Sequence, residues 1–508
     1  MPLQRRHLLA LGATSLAAPA WVRHARAADL PRFALGIASG QPLADRLVLW
    51  TRLTGPGLAD AVPVDWVIAH DAACTQVAAR GSELAVAGDA HSVHAEPAGL
   101  EAGRGYFYRF SALGQHSPVG RTRTAPAPDA PATLRAVLAS CQRWDSGHWA
   151  AWRHAATQEP DLVLFVGDYI YEYPAAKTAV RPHDLPLVRT LAQFRDRYAL
   201  CKSDPALQAA HANAPWLVVW DDHEVENDYA NDRGQRLTGT ELLALRAAGY
   251  QAWWEHMPVP KAMRPVGPDA RIHHRLDWGT LARIHALDAR QFRDHQACVP
   301  AGRVGGSSVV NLADCPALLA PQRSLLGAAQ ERWLAEGWDL QRRWNLLAQQ
   351  TLMAPLNTAV PGTPSEAGRF WTDGWDGYPA ARTRLLQGMA ARRVPNMVAL
   401  GGDVHAHYVA DLKADVGDAK APVLASEICG TSISSLGPEA ARTQAALARN
   451  PHLHHARGDQ RGYVLLSLDP RQLTADLMAV ADASDPASAV AVGARFVVEA
   501  GRPGPQRA

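Results

Sequence analysis

The sequence predicts an α/β protein: a layered core of strands and helices preceded by a smaller N-terminal β-sandwich. Three observations predict it. Residues 33–124 hold short apolar or alternating runs between Gly, Pro and Asp breakers, with no long helical pattern among them, the signature of a compact all-β unit. Residues 125–131 read Ala-Pro-Ala-Pro-Asp-Ala-Pro, an extended spacer ill suited to a core. From residue 134 onward, apolar runs of strand length alternate with helical stretches, and strands separated by helices build layered α/β cores.

In chain order, the N-terminus shows Arg5-Arg6, a weakly apolar run from Leu8 to Val22 softened by Gly12, Thr14 and Ser15, then Arg23 and Ala25-Arg26-Ala27. Paired arginines before such a run, with an A-x-A cut after it, resemble a twin-arginine export signal. Residues 1–27 are therefore expected to be a leader handled by the twin-arginine translocation machinery, giving a periplasmic or secreted mature protein. The run is too short and interrupted for a stable membrane anchor, and no later stretch approaches the roughly 20 apolar residues of a spanning helix. A formal net charge of only +2 over 508 residues argues against a broad nucleic-acid-binding face.

The β-sandwich is expected over residues 28–124, with strands at Leu47–Trp50, Val64–Ile68 and Tyr106–Phe110. A linker follows over 125–133, then a catalytic domain over 134–498, with helices near Glu241–Glu255 and Ala328–Gln341. Residues 499–508, rich in Gly, Pro and Arg, read as a disordered tail. The six cysteines include no C-x-x-C pair, which argues against a zinc knuckle. Cys298 and Cys315 flank a loop rich in Gly, Ser and Val and are expected to pair in an oxidising compartment. Of the sixteen tryptophans, Trp144, Trp149, Trp371 and Trp375 sit in polar company, where they serve either a cleft or the core.

The apolar strands of the core each end in reactive residues. Leu134–Ala139 precedes Ser140-Cys141-Gln142, and Leu162–Val166 precedes Gly167-Asp168. Trp216–Trp220 runs into Asp221-Asp222-His223-Glu224, Ile284–Leu287 precedes Asp288 and Arg290, and Met397–Leu400 precedes Gly401-Gly402-Asp403. Ligands of α/β folds gather beyond strand ends, so these clusters are expected to converge in space.

Their chemistry points to a metal. Asp168 and Tyr171 offer two oxygens from one turn, and Gly167 lets the backbone bend beside them. Residues 221–227 crowd four carboxylates, an imidazole and an amide together, with Asp228 next in line. Crowded carboxylates repel one another unless a cation neutralises them. Asp403, His405 and His407 alternate and can share one face of an extended segment, although a structural role for His407 is as good a reading. Asp and His together suit iron, manganese or zinc, and a Cys141 thiolate favours a transition metal; a lone cysteine is otherwise a small core hydrophobe.

In this order the segments Ser140-Cys141-Gln142, GDYIYEY, WDDHEVEND, Leu287–Gln291 and GGDVH, with Phe33–Pro42 and Leu49–Arg52 before them, resemble the PhoD-like alkaline phosphatase family, within the calcineurin-type metallophosphoesterases. Gln41 and Gly401 depart from the family pattern, at positions unsuited to be ligands. The resemblance implies an N-terminal β-sandwich, a metallophosphoesterase core, iron (Fe3+) with calcium (Ca2+), and hydrolysis of phosphate mono- or diesters by attack of a metal-activated oxygen on phosphorus. Carried over by motif, Cys141, Asp168, Tyr171 and His405 hold iron, while Asp168 bridges to calcium completed by Asp222 and Asp403. The resemblance also implies that Asp222 and Asp403, where the wider superfamily has Asn and His, would move the second site from nitrogen-preferring metals toward calcium. Asn227 is a candidate for a further calcium, His223 for contacting phosphate and protonating the leaving oxygen, and Arg290 for clamping the phosphoryl oxygens or pairing with Asp288 or Asp294. Two other readings stand beside this one: a phospholipase D-like phosphodiesterase, and a secreted carbohydrate- or surface-binding protein with an inactive catalytic domain.

Overall fold

The computed structural model describes residues 32–360, 362–363 and 365–508; the expected leader, residues 1–27, lies outside them. Two large sheets dominate. One has ten strands, in spatial order 502–507, 490–499, 472–480, 461–468, 134–139, 162–165, 215–218, 37–40, 48–52 and 92–95. The other has seven, in the order 274–278, 282–286, 344–348, 397–401, 425–429, 407–412 and 453–457.

Side-chain alternation stacks the sheets face to face. In the seven-stranded sheet Leu346, Val398 and Leu400 point into a core shared with Leu138, Leu164 and Val218 of the ten-stranded sheet. Their neighbours Leu347, Met397 and Ala399 point the other way, onto Leu334 and Leu386 of the helices Gly327–Gly337 and Pro379–Ala391. A period of two sends successive side chains to opposite faces, so a fully buried strand must be apolar throughout. On the outer face of the first sheet, Trp152 of the helix Ala150–Ala156 lies against Phe165 and Trp216.

Within each sheet the central block is parallel: 134–139, 162–165 and 215–218 in one, and 282–286, 344–348, 397–401 and 425–429 in the other. Parallel strands put all their carboxyl ends on one edge, and the reactive segments found in the sequence follow those ends.

The N-terminal segment is a sandwich with one sheet of its own, strands 61–69, 77–86, 105–112, 115–116 and 120–123. Its second sheet is an extension of the core: strand Ile37–Gly40 pairs in parallel with Pro215–Val218, Ser39 opposite Pro215 and Gly40 opposite Trp216. The expected linker is likewise tied down, since the Ala125 N–H donates to Leu43 O and the Trp278 indole N–H to Thr133 O. Cys298 and Cys315 form the expected disulfide, with Cα atoms 6.0 Å apart.

The expectation of a disordered tail is corrected. Residues 502–507 form the edge strand of the ten-stranded sheet, paired with Val490–Glu499. Pro503 and Pro505 fit there because an edge strand has backbone positions that need not donate to a neighbour, and the Gly504 N–H finds Ser426 Oγ at 2.9 Å.

Candidate metal centre

Four side chains reach the shared edge from residues in the left-handed backbone region: Cys141 (φ 59°), Asp168 (φ 58°), Asp403 (φ 64°) and His405 (φ 53°). Such conformations cost non-glycine residues of order 1 kcal/mol or more, and they cluster where function requires them. Surrounding bonds hold them in place. Glu224, fully buried, accepts from the Tyr169 amide at 2.6 Å, the Asp168 amide at 3.1 Å and the Asp221 amide at 2.8 Å, and so ties two ligand-bearing loops together. Gly167, at φ 116°, lies so close to Asp221 that a Cβ there would collide with it.

Four groups of potential ligand atoms form among the described residues; one, Asp168 with Asp222 and His223, overlaps the other three, which are taken in turn. In the first, Cys141, Asp168 and His405 offer atoms within 4.8 Å of one another. The Tyr171 hydroxyl joins them, 2.9 Å from Asp168 Oδ2 and 3.2 Å from His405 Nε2. His405 Nδ1 lies 2.7 Å from the Leu436 carbonyl oxygen. That bond places the proton on Nδ1 and leaves the Nε2 lone pair for a metal. Burial holds the imidazole pKa down at about 4, in the neutral form that ligates.

The second group gathers Asp168, Asp221, Asp222 and Asp403. Asp222 Oδ1 and Asp403 Oδ2 are buried without a hydrogen-bond partner among the described residues. Buried carboxylate oxygens left this way are costly unless a cation is to be placed between them. In the third group, Asp222, Asp228 and Asp373, two of the three acids are already engaged. Asp373 is held by Arg290, Arg293 and Gln296, and Asp228 accepts from Ser307 and Gln235. The first two groups are therefore the better cation sites. Asn227 lines the same cavity, with its backbone N–H 3.0 Å from Glu172 Oε1.

Protonation preferences agree. Burial drives Asp168, Asp403, the Cys141 thiol and the Tyr171 phenol well above their ordinary pKa ranges, and neighbouring acids add to the effect. Asp222 differs: Arg290, His223 and the Asp228 amide outweigh burial and hold its carboxyl low. Burial thus disfavours charge at most of these positions, and a bound polyvalent cation would supply the field that favours the ionised forms.

His223 lines the cavity. Its Nδ1 lies 2.6 Å from Glu172 Oε2, and its ring packs 4.0 Å from that of Tyr171, centre to centre. Glu172, fully buried, fixes the tautomer and orientation of His223 and leaves Nε2 free. Glu172 and Glu224 stand inside the GDYIYEY and WDDHEVEND segments, whose pattern does not reveal these roles. Asp373 and Ser435 carry still weaker marks in the sequence: Asp373 lies in a Gly-flanked turn between Trp371 and Trp375, and the Ser435 hydroxyl lies 2.8 Å from that of Tyr171.

Arg290 is not the phosphate clamp expected of it. It is fully buried, pairs with Asp221 and, at 2.6 Å, with Asp373, and turns Nη2 toward Asp222 at 3.4 Å and Asp403 at 3.8 Å. It therefore stands behind the ligand carboxylates as a fixed countercharge. The alternative pairing with Asp288 or Asp294 is not formed either: Asp288 accepts from the Arg290 backbone amide rather than pairing with its guanidinium. His407 is structural as well: it is buried, and its Nδ1 accepts from the Thr431 amide at 3.1 Å.

The metal-binding edge opens into a cavity of about 520 Å3 whose other walls include Leu352, Leu356, Trp371 and Trp375. Trp144 and Trp149 do not share it; they line a separate cavity beside the helices Ala150–Ala156 and Pro205–Asn213.

Stacked α/β sheets with candidate carboxylate, imidazole and thiol ligands at one strand-end edge fit a metallophosphoesterase-type hydrolase. A PhoD-like phosphatase domain matches residues 136–477, and the PhoD-like phosphatase N-terminal domain matches residues 17–126. Alkaline phosphatase D of Bacillus subtilis (strain 168) is 40% identical over 484 residues, covering 92% of this chain and 81% of that protein. A solved structure of PhoD superposes with a TM-score of 0.87 at 38% identity, covering 94% of this chain and 92% of that one. Purple acid phosphatase PPD1 from yellow lupin (Lupinus luteus) seeds shares the fold, with a TM-score of 0.52 at 13% identity over 91% of this chain and 74% of that one. The chain belongs to the PhoD-like phosphatase family and is a phosphoric ester hydrolase.

Proposed function

We propose that this is an exported enzyme hydrolysing phosphate mono- and diesters, with iron held by Cys141, Asp168, Tyr171 and His405 and calcium held by Asp168, Asp222 and Asp403. The observation that carries the reading is the pair of adjoining ligand groups sharing Asp168. Thiolate, phenolate and neutral imidazole suit ferric iron, whereas three carboxylates suit calcium. Bound there, the cations would offset phosphoryl charge and supply an oxygen nucleophile at neutral pH. The Arg5-Arg6 leader supports export by the twin-arginine machinery to the periplasm or beyond.

The protein's own work is positioning. Glu224 holds the loops carrying Asp168 and Asp221 together, and Arg290 fixes Asp221 with Asp222 beside it. His223, its Nδ1 engaged by Glu172, directs Nε2 to the leaving oxygen and delivers a proton there. Glu172→Gln is expected to lower kcat by about 10- to 100-fold, as loss of an orienting partner typically does. The loss should grow as the leaving alcohol becomes more basic and needs the proton more. A loss equal across leaving groups would assign Glu172 to folding alone.

Rates on a chromogenic monoester, a bis-ester and a phosphatidylcholine dispersion test the substrate class. Turnover of the first two, removed by a chelator, supports the reading. Activity confined to the lipid would select the phospholipase D-like alternative, and inertness toward all three after metal is restored would select the binding-protein one.

A further inference from the structure

The cavity that holds the metal ligands does not end at its apolar wall. Val309, Thr358, Arg442 and Ala446 line it and also line an adjoining groove of about 350 Å3. That groove is basic: Arg369, Arg442 and Arg449 line it, and no carboxylate does among the described residues. Arg442 and Arg449 stand on the helix Ala440–Arg449, seven positions and so two turns apart on one face. Arg369 faces them from the strand Arg369–Trp371, whose Trp371 belongs to the metal-site cavity. All three are exposed, and none of their guanidinium groups has a hydrogen-bond or ion-pair partner among the described residues. The nearby cavity acid Asp376 is already neutralised by Arg382 at 2.7 Å.

Unpaired guanidiniums gathered along one groove repel one another and are stabilised by a bound anion. Their planar forks match the oxygens of a phosphate. We propose that this groove is a second anion subsite, so that the enzyme prefers esters carrying a further phosphate on the organic part beyond the scissile phosphorus. The proposal rests on the phosphoesterase reading and adds the class of substrate. The scissile group sits at the metal ligands, the intervening chain crosses Val309 and Ala446, and the second phosphate meets Arg442, with Arg369 and Arg449 beside it.

The test compares p-nitrophenyl 3-phosphonopropyl phosphate with p-nitrophenyl propyl phosphate, which share the leaving group and alkyl chain and differ only in a terminal phosphonate, a phosphate mimic that a phosphoesterase does not cleave. At low ionic strength the metal-loaded enzyme is expected to favour the first by about 10- to 100-fold in kcat/KM, mostly through KM, as two or three exposed charge pairs allow. Added salt should shrink the preference. In Arg442→Ala/Arg449→Ala the ratio should fall to within about twofold of one, and in Arg442→Glu/Arg449→Glu below one, by removal and reversal of the charges. A ratio is read only from folded, active enzyme, so misfolding cannot imitate this result. Full turnover of the propyl ester with no preference in the wild type, or a preference unchanged in the variants, would overturn the subsite alone. Inertness toward both esters would overturn the phosphoesterase reading and the subsite with it.

Discussion

Asp168→Ala is expected to lose bound metal and turnover together, with kcat/KM falling by about 10^4-fold or more, since the catalytic charge and nucleophile both depend on the cations. Asp168 contributes to the group with Cys141 and His405 and to the group with Asp221, Asp222 and Asp403, so one carboxylate serves both proposed ions. It also receives the Tyr171 hydroxyl at 2.9 Å and lies 3.4 Å from the His223 amide. Its folding cost should be small by comparison, because burial already disfavours its charge and alanine removes that penalty. Metal content by elemental analysis and kcat/KM on a chromogenic ester measure the two losses. A variant that keeps its metal and turns over would show that the ligands have been misassigned.

Arg290→Met is expected to act first on stability, by about 3–5 kcal/mol, the usual cost of removing one partner from a buried charge network. The guanidinium is fully buried and pairs with Asp221 and Asp373, with Asp222 and Asp403 close by. Without it, four acids share one dry region, and bound cation should matter more to the fold. Chemical denaturation of metal-loaded and metal-stripped protein reads this directly: the gap between the two should widen in the variant. If Arg290 gripped substrate instead, stability would hold and KM alone would rise.

The two assignments show where the sequence was legible. Each ligand-bearing segment follows an apolar strand, and parallel strands end on a common edge, so the convergence of Cys141, Asp168, Asp222 and Asp403 could be read from pattern and chemistry. What pattern does not encode is the direction in which a strand-end side chain points. Arg290 turns back toward Asp373, 83 residues on, in a segment without strand periodicity. The tail failed for another reason. Composition alone reads Pro503, Gly504 and Pro505 as disorder, while an edge strand tolerates them. The N-terminal strands looked self-contained because the partner of Ile37–Gly40 is Pro215–Val218, across a linker and well into the next domain. Non-local pairing leaves no mark in local periodicity.

The central claim is that a ferric ion bound by Tyr171 and Cys141 works beside calcium at the carboxylates. Elemental analysis of the purified mature protein tests it most directly, run with visible absorption and ester hydrolysis before and after a chelator. The account predicts iron together with calcium, a colour from the tyrosinate–iron pair that Tyr171→Phe removes, and activity that the chelator abolishes. A colourless protein that contains neither iron nor calcium yet hydrolyses the ester undiminished in chelator would contradict it.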